Sequence, residues 1–143
     1  MREVKHSALV TSSPGRMFAL INDIESYPGF VPGCTAATVL SRSENEIVAS
    51  LAVSRGALRT EFTTRNRLEP DRRIVMELVK GPFRELRGEW LLTPIGENGC
   101  RVELTLRFEF SNPLSALVFE PKFAETAAAL VDAFVARARA LPP

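Results

Sequence analysis

The sequence predicts an α+β fold in which a curved antiparallel sheet of about seven strands wraps around one long C-terminal helix, with two short helices after the first strand. Three observations predict it. Six successive segments between residues 35 and 110 have strand character, and their connectors are too short to join anything but antiparallel neighbours. Two of these segments carry apolar residues on one face and charged residues on the other, so the sheet has one wet side and one that must be covered. From Asn112 onward the pattern changes to a helical period with a broad apolar surface, which supplies the cover.

The elements follow in order. In residues 3–11, Val4, His6, Ala8 and Val10 alternate with Glu3, Lys5, Ser7, Leu9 and Thr11, the period of a strand. Ser12-Ser13-Pro14 starts a helix, with a serine cap and proline at the first helical position. Met17, Phe18, Leu20 and Ile21 form its apolar stripe, and Asn22-Asp23 opens a second turn or short helix reaching Tyr27. Pro28, Gly29, Pro32 and Gly33 then interrupt regular structure. Strands are expected at 35–42, 46–54, 57–69, 73–80, 86–95 and 100–110. Ser43-Glu44-Asn45, Pro70-Asp71 and Gly96-Glu97-Asn98-Gly99 supply turns, the last with an Asn-Gly hairpin signal. Leu58, Phe62 and Leu68 oppose Arg59, Glu61, Thr63, Arg65, Arg67 and Glu69. Likewise Val102, Leu104, Leu106, Phe108 and Phe110 oppose Arg101, Glu103, Thr105, Arg107 and Glu109.

The closing helix runs from Pro113 toward Leu141, capped by Ser111 or Asn112. Leu114, Leu117, Val118, Ala124, Ala128, Val131, Val135 and Ala138 share one face. Phe119, Phe123, Ala127, Leu130 and Phe134 form the adjacent row. Pro121 removes a backbone donor and crowds the preceding turn, which predicts a break near Glu120 and a short first segment. Residues 1–143 read as one domain without linker or repeat.

Composition excludes several classes. Hydrophobic residues make up 45% and charged residues 24%, with 18 Lys plus Arg against 17 Asp plus Glu and a net charge of +1. That balance is not that of a general nucleic-acid binder, and no DNA partner is expected. Cys34 and Cys100 have no zinc spacing and read as free buried thiols. No run of 18 apolar residues exists and the N-terminus lacks a secretory signal, so the expected location is cytoplasmic, with peripheral contact at the inner membrane open.

Catalytic signatures are sparse. His6 is the single histidine, which leaves no second histidine for a metal site. No nucleophile elbow, phosphate loop or dinucleotide fingerprint appears. Every strand carboxylate that parity places faces outward, where it cannot act as base on an enclosed substrate. No catalytic residue, metal or required cofactor is assigned, and the chain is not expected to be an enzyme.

Particular strings narrow the reading. Asp23-Ile24-Glu25-Ser26-Tyr27-Pro28-Gly29-Phe30-Val31-Pro32-Gly33-Cys34 resembles the early signature of the coenzyme Q-binding START-domain family, whose bacterial members are also called ribosome association toxins. Gly81-Pro82-Phe83, Leu86 and Gly88-Glu89-Trp90 resemble its central signature. Phe108-Glu109-Phe110 and Val131-Asp132-Ala133-Phe134 with Arg137-Ala138 resemble its close. Pro121 and Gly33 depart from the family pattern, the latter standing where an aromatic is usual. The resemblance implies the helix-grip fold, shared with polyketide cyclase-like proteins. It also implies a hydrophobic cavity for ubiquinone or a similar polyprenyl lipid, in support of respiratory electron transfer. For some members it implies binding to the large ribosomal subunit and inhibition of translation initiation. A cyclase or dehydrase activity is the least favoured implication, since a fold does not fix a function.

The candidate cavity residues are Tyr27, Phe30, Val31, Phe62, Met76, Phe83, Leu86, Trp90, Phe108, Phe123, Ala127, Leu130 and Phe134. Inward aromatics usually fill a dry core, so that alternative stands beside the cavity. Tyr27, Phe30 and Val31 lie on a loop that either plugs the core or guards an entrance. Lys80-Gly81-Pro82-Phe83-Arg84 forms a candidate opposite lip, suited to an anionic membrane surface or to RNA. Arg59, Arg65, Arg67, Arg84 and Arg87 form a candidate ribosome or phosphate surface. Ion pairing with interspersed glutamates on a solvated face is the simpler account.

Overall fold

In the computed structural model the chain runs β1 (Arg2–Val10), α1 (Pro14–Asn22), a 3-10 helical turn (Ile24–Gly29), β2 (Cys34–Arg42), β3 (Glu46–Arg55), β4 (Leu58–Glu69), β5 (Arg73–Lys80), β6 (Phe83–Ile95), β7 (Gly99–Phe110) and α2 (Pro113–Ala140). The structure describes the backbone of residues 2–55 and 58–141. Side chains at 55, 58, 115, 118, 119, 121–124, 126 and 127 lie outside the described residues. The expected roles of Leu58, Val118, Phe119, Phe123, Ala124 and Ala127 fall on those positions.

The strands form one antiparallel sheet in the order β1-β7-β6-β5-β4-β3-β2. Register aligns one face across it. Ile47, Asn66, Met76, Gly88, Leu106 and Val4 form a continuous concave row, and Val48, Arg65, Glu77, Arg87, Arg107 and Glu3 form the next row on the convex side. Register shifts interrupt the pairing between Cys34 and Ala36, Val39 and Ser41, Thr63 and Thr64, and Phe83 and Glu85. Each adds local twist and bend, which curls the sheet around the helix.

β6 begins at Phe83, three residues before the expected start. Gly81-Pro82 is turn enough, because Gly81 packs directly on Phe62: a Cβ there would lie 2.7 Å from the Phe62 Cβ. Phe83 then pairs with Phe110 and extends the hairpin.

Ser13 caps α1 by accepting from the Arg16 amide at 3.2 Å. The predicted break in the last helix does not occur; α2 is a single helix of 28 residues through Pro121. Tertiary contacts at both ends override the local cost of proline. The Ser111 amide bonds the Pro82 carbonyl at 2.9 Å before α2 begins. The Arg16 guanidinium bonds the carbonyls of Ala138 and Leu141, both at 2.8 Å, where it ends.

α2 packs chiefly on β1, β7 and α1, with Val131, Phe134, Val135 and Ala138 buried. Leu114 and Leu117, expected on the buried face, are 71% and 76% exposed. Helical period identifies a shared stripe, but the sheet reaches only part of the helix. Over β3, β4 and β5 the helix stands off, and the cavity lies there.

Candidate ligand cavity

The cavity between sheet and helix has a volume of about 490 Å³. That falls within the roughly 300–1,000 Å³ of sites that enclose one small organic ligand. Its floor is the concave face of β3–β7. Ala49, Leu51 and Val53 contribute from β3, Phe62 from β4, Met76 from β5, Leu86, Gly88 and Trp90 from β6, and Leu106 and Phe110 from β7. Its roof is Ala129, Leu130 and Phe134 of α2, and its side wall is Ile24, Tyr27 and Val31. Exposed Pro32, Gly33 and Glu125 mark the rim.

Gly88 makes room on the floor. A Cβ at that position would lie 2.4 Å from the Met76 Cε and 2.9 Å from the Leu106 Cδ2, so the bare backbone lets both side chains lie flat across the sheet. Ala49 and Ala129 are lean for the same purpose.

Phe134 is the hub of the anchored end. It makes edge contacts with Tyr27 at 5.3 Å, Phe30 at 5.3 Å and Trp90 at 5.4 Å between ring centres. Such edge geometries add roughly 0.5–1.5 kcal/mol each beyond burial. The Tyr27 hydroxyl donates to the Ile21 carbonyl, tying the side wall to α1. Burial pushes the Tyr27 phenol far above its ordinary range, and Cys34 and Asp23 push it in the same direction. Burial also raises the Cys34 thiol above its ordinary 9.0, so both groups present neutral surfaces to the cavity.

Of the residues singled out in the sequence, Tyr27, Val31, Phe62, Met76, Phe83, Leu86, Trp90, Leu130 and Phe134 line the cavity. Phe30 does not. It packs on Tyr27 and Phe134, and the Arg137 guanidinium lies 5.1 Å over its ring. Phe108 is sealed in the core instead, with its ring 6.0 Å from that of Phe110. The side chains of Phe123 and Ala127 lie outside the described residues. Phe83 is turned inward, stacked on Phe110 at 4.7 Å and edge-on to Phe62 at 5.7 Å, so the lip between Lys80 and Arg84 does not present its ring to a membrane. The shift of register between Phe83 and Glu85 directs Phe83 into the core and leaves Arg84 outside.

Sequence reasoning missed the polar floor. Thr60, Thr64 and Asn66 share inward parity with Phe62 on β4. Their inward position was already in the alternation, but a threonine or asparagine on a strand reads as surface until its cover is known.

The convex face is a lattice of ion pairs. Arg59 meets Glu61 at 3.0 Å, Arg65 meets Glu46 at 2.6 Å, and Arg67 and Arg87 meet Glu77 at 3.6 and 3.8 Å. Arg84 has no carboxylate partner among the described residues. His6 Nε2 lies 3.7 Å from Asp132 on the helix, outside the cavity. The described residues contain no group of three or more potential metal ligands, and no helix among them is long and apolar enough to cross a membrane.

Comparison with known proteins places this geometry. The family model described as "polyketide cyclase / dehydrase and lipid transport" matches residues 10–135. A Vibrio cholerae protein named "Ribosome association toxin RatA" is 47% identical over 97% of this chain and 96% of its own length. The "Coenzyme Q-binding protein coq10, mitochondrial" of Schizosaccharomyces pombe is 25% identical over 93% of this chain and 84% of its own. The crystal structure of a Thermus thermophilus protein shares the fold with a TM-score of 0.85 at 19% identity, covering 97% of this chain and 98% of the other.

Proposed function

The chain belongs to the polyketide cyclase / dehydrase and lipid transport family, with close relatives named ribosome association toxins, and on that basis we propose that it is a non-catalytic binder of one hydrophobic ligand, a polyprenyl quinone or similar lipid. The observation that carries the reading is the cavity: about 490 Å³ enclosed by aromatic and aliphatic side chains, with Trp90 and Phe62 on its floor. Burying one five-carbon isoprene unit stabilises a complex by about 3–4 kcal/mol at about 0.8 kcal/mol per carbon. Loss of ligand freedom costs several kcal/mol. Three enclosed units therefore support roughly micromolar affinity.

The same lining argues against chemistry. Its one carboxylate among the described residues is Glu125 at the exposed rim, no histidine lines it, and burial holds the Tyr27 phenol and the Cys34 thiol protonated, with the Tyr27 hydroxyl committed to the Ile21 carbonyl. Acid–base catalysis on an enclosed substrate requires a titratable group within hydrogen-bond reach of it.

Solvent extraction of purified protein followed by mass spectrometry tests the reading. A co-purifying quinone or prenyl lipid, or stoichiometric uptake of added short-chain ubiquinone, is expected. Failure of both removes it.

A second reading is association with the large ribosomal subunit, favoured by the 47% identity to a protein named a ribosome association toxin over nearly the whole chain. The convex face and the turn from Lys80 to Arg84 supply the cations. Sedimentation with ribosomal subunits at two salt concentrations tests it, and absence of binding at low salt overturns it.

A further inference from the structure

The floor of the cavity carries a buried amide whose N–H donors meet no acceptor among the described residues. Asn66 is 7% exposed and Thr64 is 8% exposed, two positions apart on the inner face of β4. The Thr64 hydroxyl donates to Asn66 Oδ1 at 2.8 Å. That contact pairs the carbonyl side of the amide and holds the side chain against Thr64, leaving the two N–H donors of Nδ2. Among the described residues nothing accepts from them, and Asn66 lines the cavity. Buried amides are otherwise hydrogen-bonded almost without exception, so an open one at the wall of a cavity marks where a ligand's acceptor belongs.

Its surroundings define that acceptor. Asn66 pairs across the sheet with Ile47 and Met76, and Gly88 lies one strand beyond. No cation lines the cavity among the described residues, and its one carboxylate, Glu125, stands at the rim. A phosphate or carboxylate brought to Asn66 would lose its hydration without a counter-charge. A neutral carbonyl loses far less and matches the amide donor. From Asn66 the inner row of β4 runs past Thr64 and Phe62 to Thr60 near the mouth, a span of roughly 20 Å at about 3.3 Å per residue.

We propose that Asn66, oriented by Thr64, is the head-group anchor of the cavity. The ligand class is an uncharged amphiphile with a ketone, quinone or ester carbonyl held at Asn66 Nδ2, its apolar tail lying along Phe62 toward Gly33 and any excess length leaving through the mouth. This rests on the reading of the cavity as a hydrophobic ligand site and adds to it the polarity and direction of the ligand.

The test uses two probes with the same tail, decylubiquinone and decylbenzene, titrated into the full chain and followed by the fluorescence of Trp90, the single tryptophan, which lines the cavity. The wild-type protein is expected to favour the quinone. In Asn66→Leu, quinone affinity falls about tenfold while decylbenzene affinity holds or rises. Thr64→Val, which leaves the amide in place but unoriented, loses a smaller part of the same preference. A melting curve for each variant separates folding from binding, and Thr64→Val carries the test if Asn66→Leu does not fold. Unchanged quinone affinity in the folded variants, or equal loss of both probes, overturns the anchor and leaves the hydrophobic cavity standing. Failure of both probes to bind the wild-type protein overturns the cavity reading and the anchor together.

Discussion

The Arg16 guanidinium donates to the backbone carbonyl of Ala138 at 2.8 Å, so the first helix of the chain caps the last. The same Nη2 reaches the Leu141 carbonyl at 2.8 Å, and Nη1 donates to the Ser12 hydroxyl at 3.2 Å. The final carbonyls of a helix have no partner within it, and a cation at that end also complements the helix dipole. This contact holds the C-terminal end of α2, just beyond the stretch from Glu125 to Phe134 that borders the cavity.

Arg16→Ala should therefore destabilise the fold by about 1–3 kcal/mol, the range for losing charge-assisted bonds at a half-buried site. For a chain of this size each kcal/mol lowers Tm by roughly 3–4 °C. Thermal unfolding checks it. Arg16→Lys should recover only part of the loss, because a point charge cannot reproduce the planar fork.

Phe134→Ala should be the more damaging change. The side chain is fully buried and touches Tyr27, Phe30 and Trp90. A loss of about 3–5 kcal/mol is expected from the transfer and cavity terms together. Denaturant unfolding measures it, and a loss under about 1 kcal/mol would mean the helix is not anchored through this ring.

Gly88→Ala probes the room in the cavity. The new methyl group must displace the ends of Met76 and Leu106 into the ligand space. Overpacking of this kind costs about 1–3 kcal/mol. Both ends are flexible, so stability should fall near the lower figure. Short-chain quinone affinity should drop about tenfold. Titration of quinone into wild-type and variant protein reads the difference.

The pH dependence has a definite sign. Burial raises the ionisations of Tyr27, Cys34 and Cys100 above their ordinary values of 10.0, 9.0 and 9.0. The folded state thus holds protons that the unfolded chain releases first, and stability is full below about pH 9. It declines as pH rises above that value, because only the unfolded state gains by ionising. Denaturant midpoints at pH 8, 9 and 10 should fall in that order. Tyr27→Phe should flatten the upper part of the decline, at the cost of about 1 kcal/mol for the lost bond to Ile21. Both thiols should also resist alkylation at pH 8, where an exposed cysteine reacts.

On the convex face, pairing sorts the arginines. If the chain binds ribosomal RNA, Arg84→Ala should lower the slope of log affinity against log salt by about one phosphate contact. Arg65→Ala should lower it less, because Glu46 holds that guanidinium at 2.6 Å. Binding measured across a salt series distinguishes the two.

Much of this architecture was legible in the order of residues. The alternation Val102, Leu104, Leu106, Phe108, Phe110 specified which side of β7 is buried, because side chains on a strand have a period of two whatever lies beyond them. Short connectors specified antiparallel pairing, and Ser13-Pro14 specified the start of α1. The misplaced expectations share a cause. The local cost of Pro121 predicts a break that tertiary contacts at both ends of α2 override. Helical period puts Leu114 and Leu117 on the apolar stripe but carries no information on how far the sheet extends beneath it. Parity puts Phe108 on the inner face, but packing, not parity, decides whether an inner residue reaches the cavity wall.

The order of residues dictates the sheet, its wet and dry faces and the helix that must cover the dry one, since these follow from nearest-neighbour chemistry along the chain. That the two apolar surfaces stop short of each other, and that the Asn66 amide opens into the space between them, emerges only once the elements are packed. A void depends on the distance between elements far apart in the chain, and no local pattern of side chains records that distance.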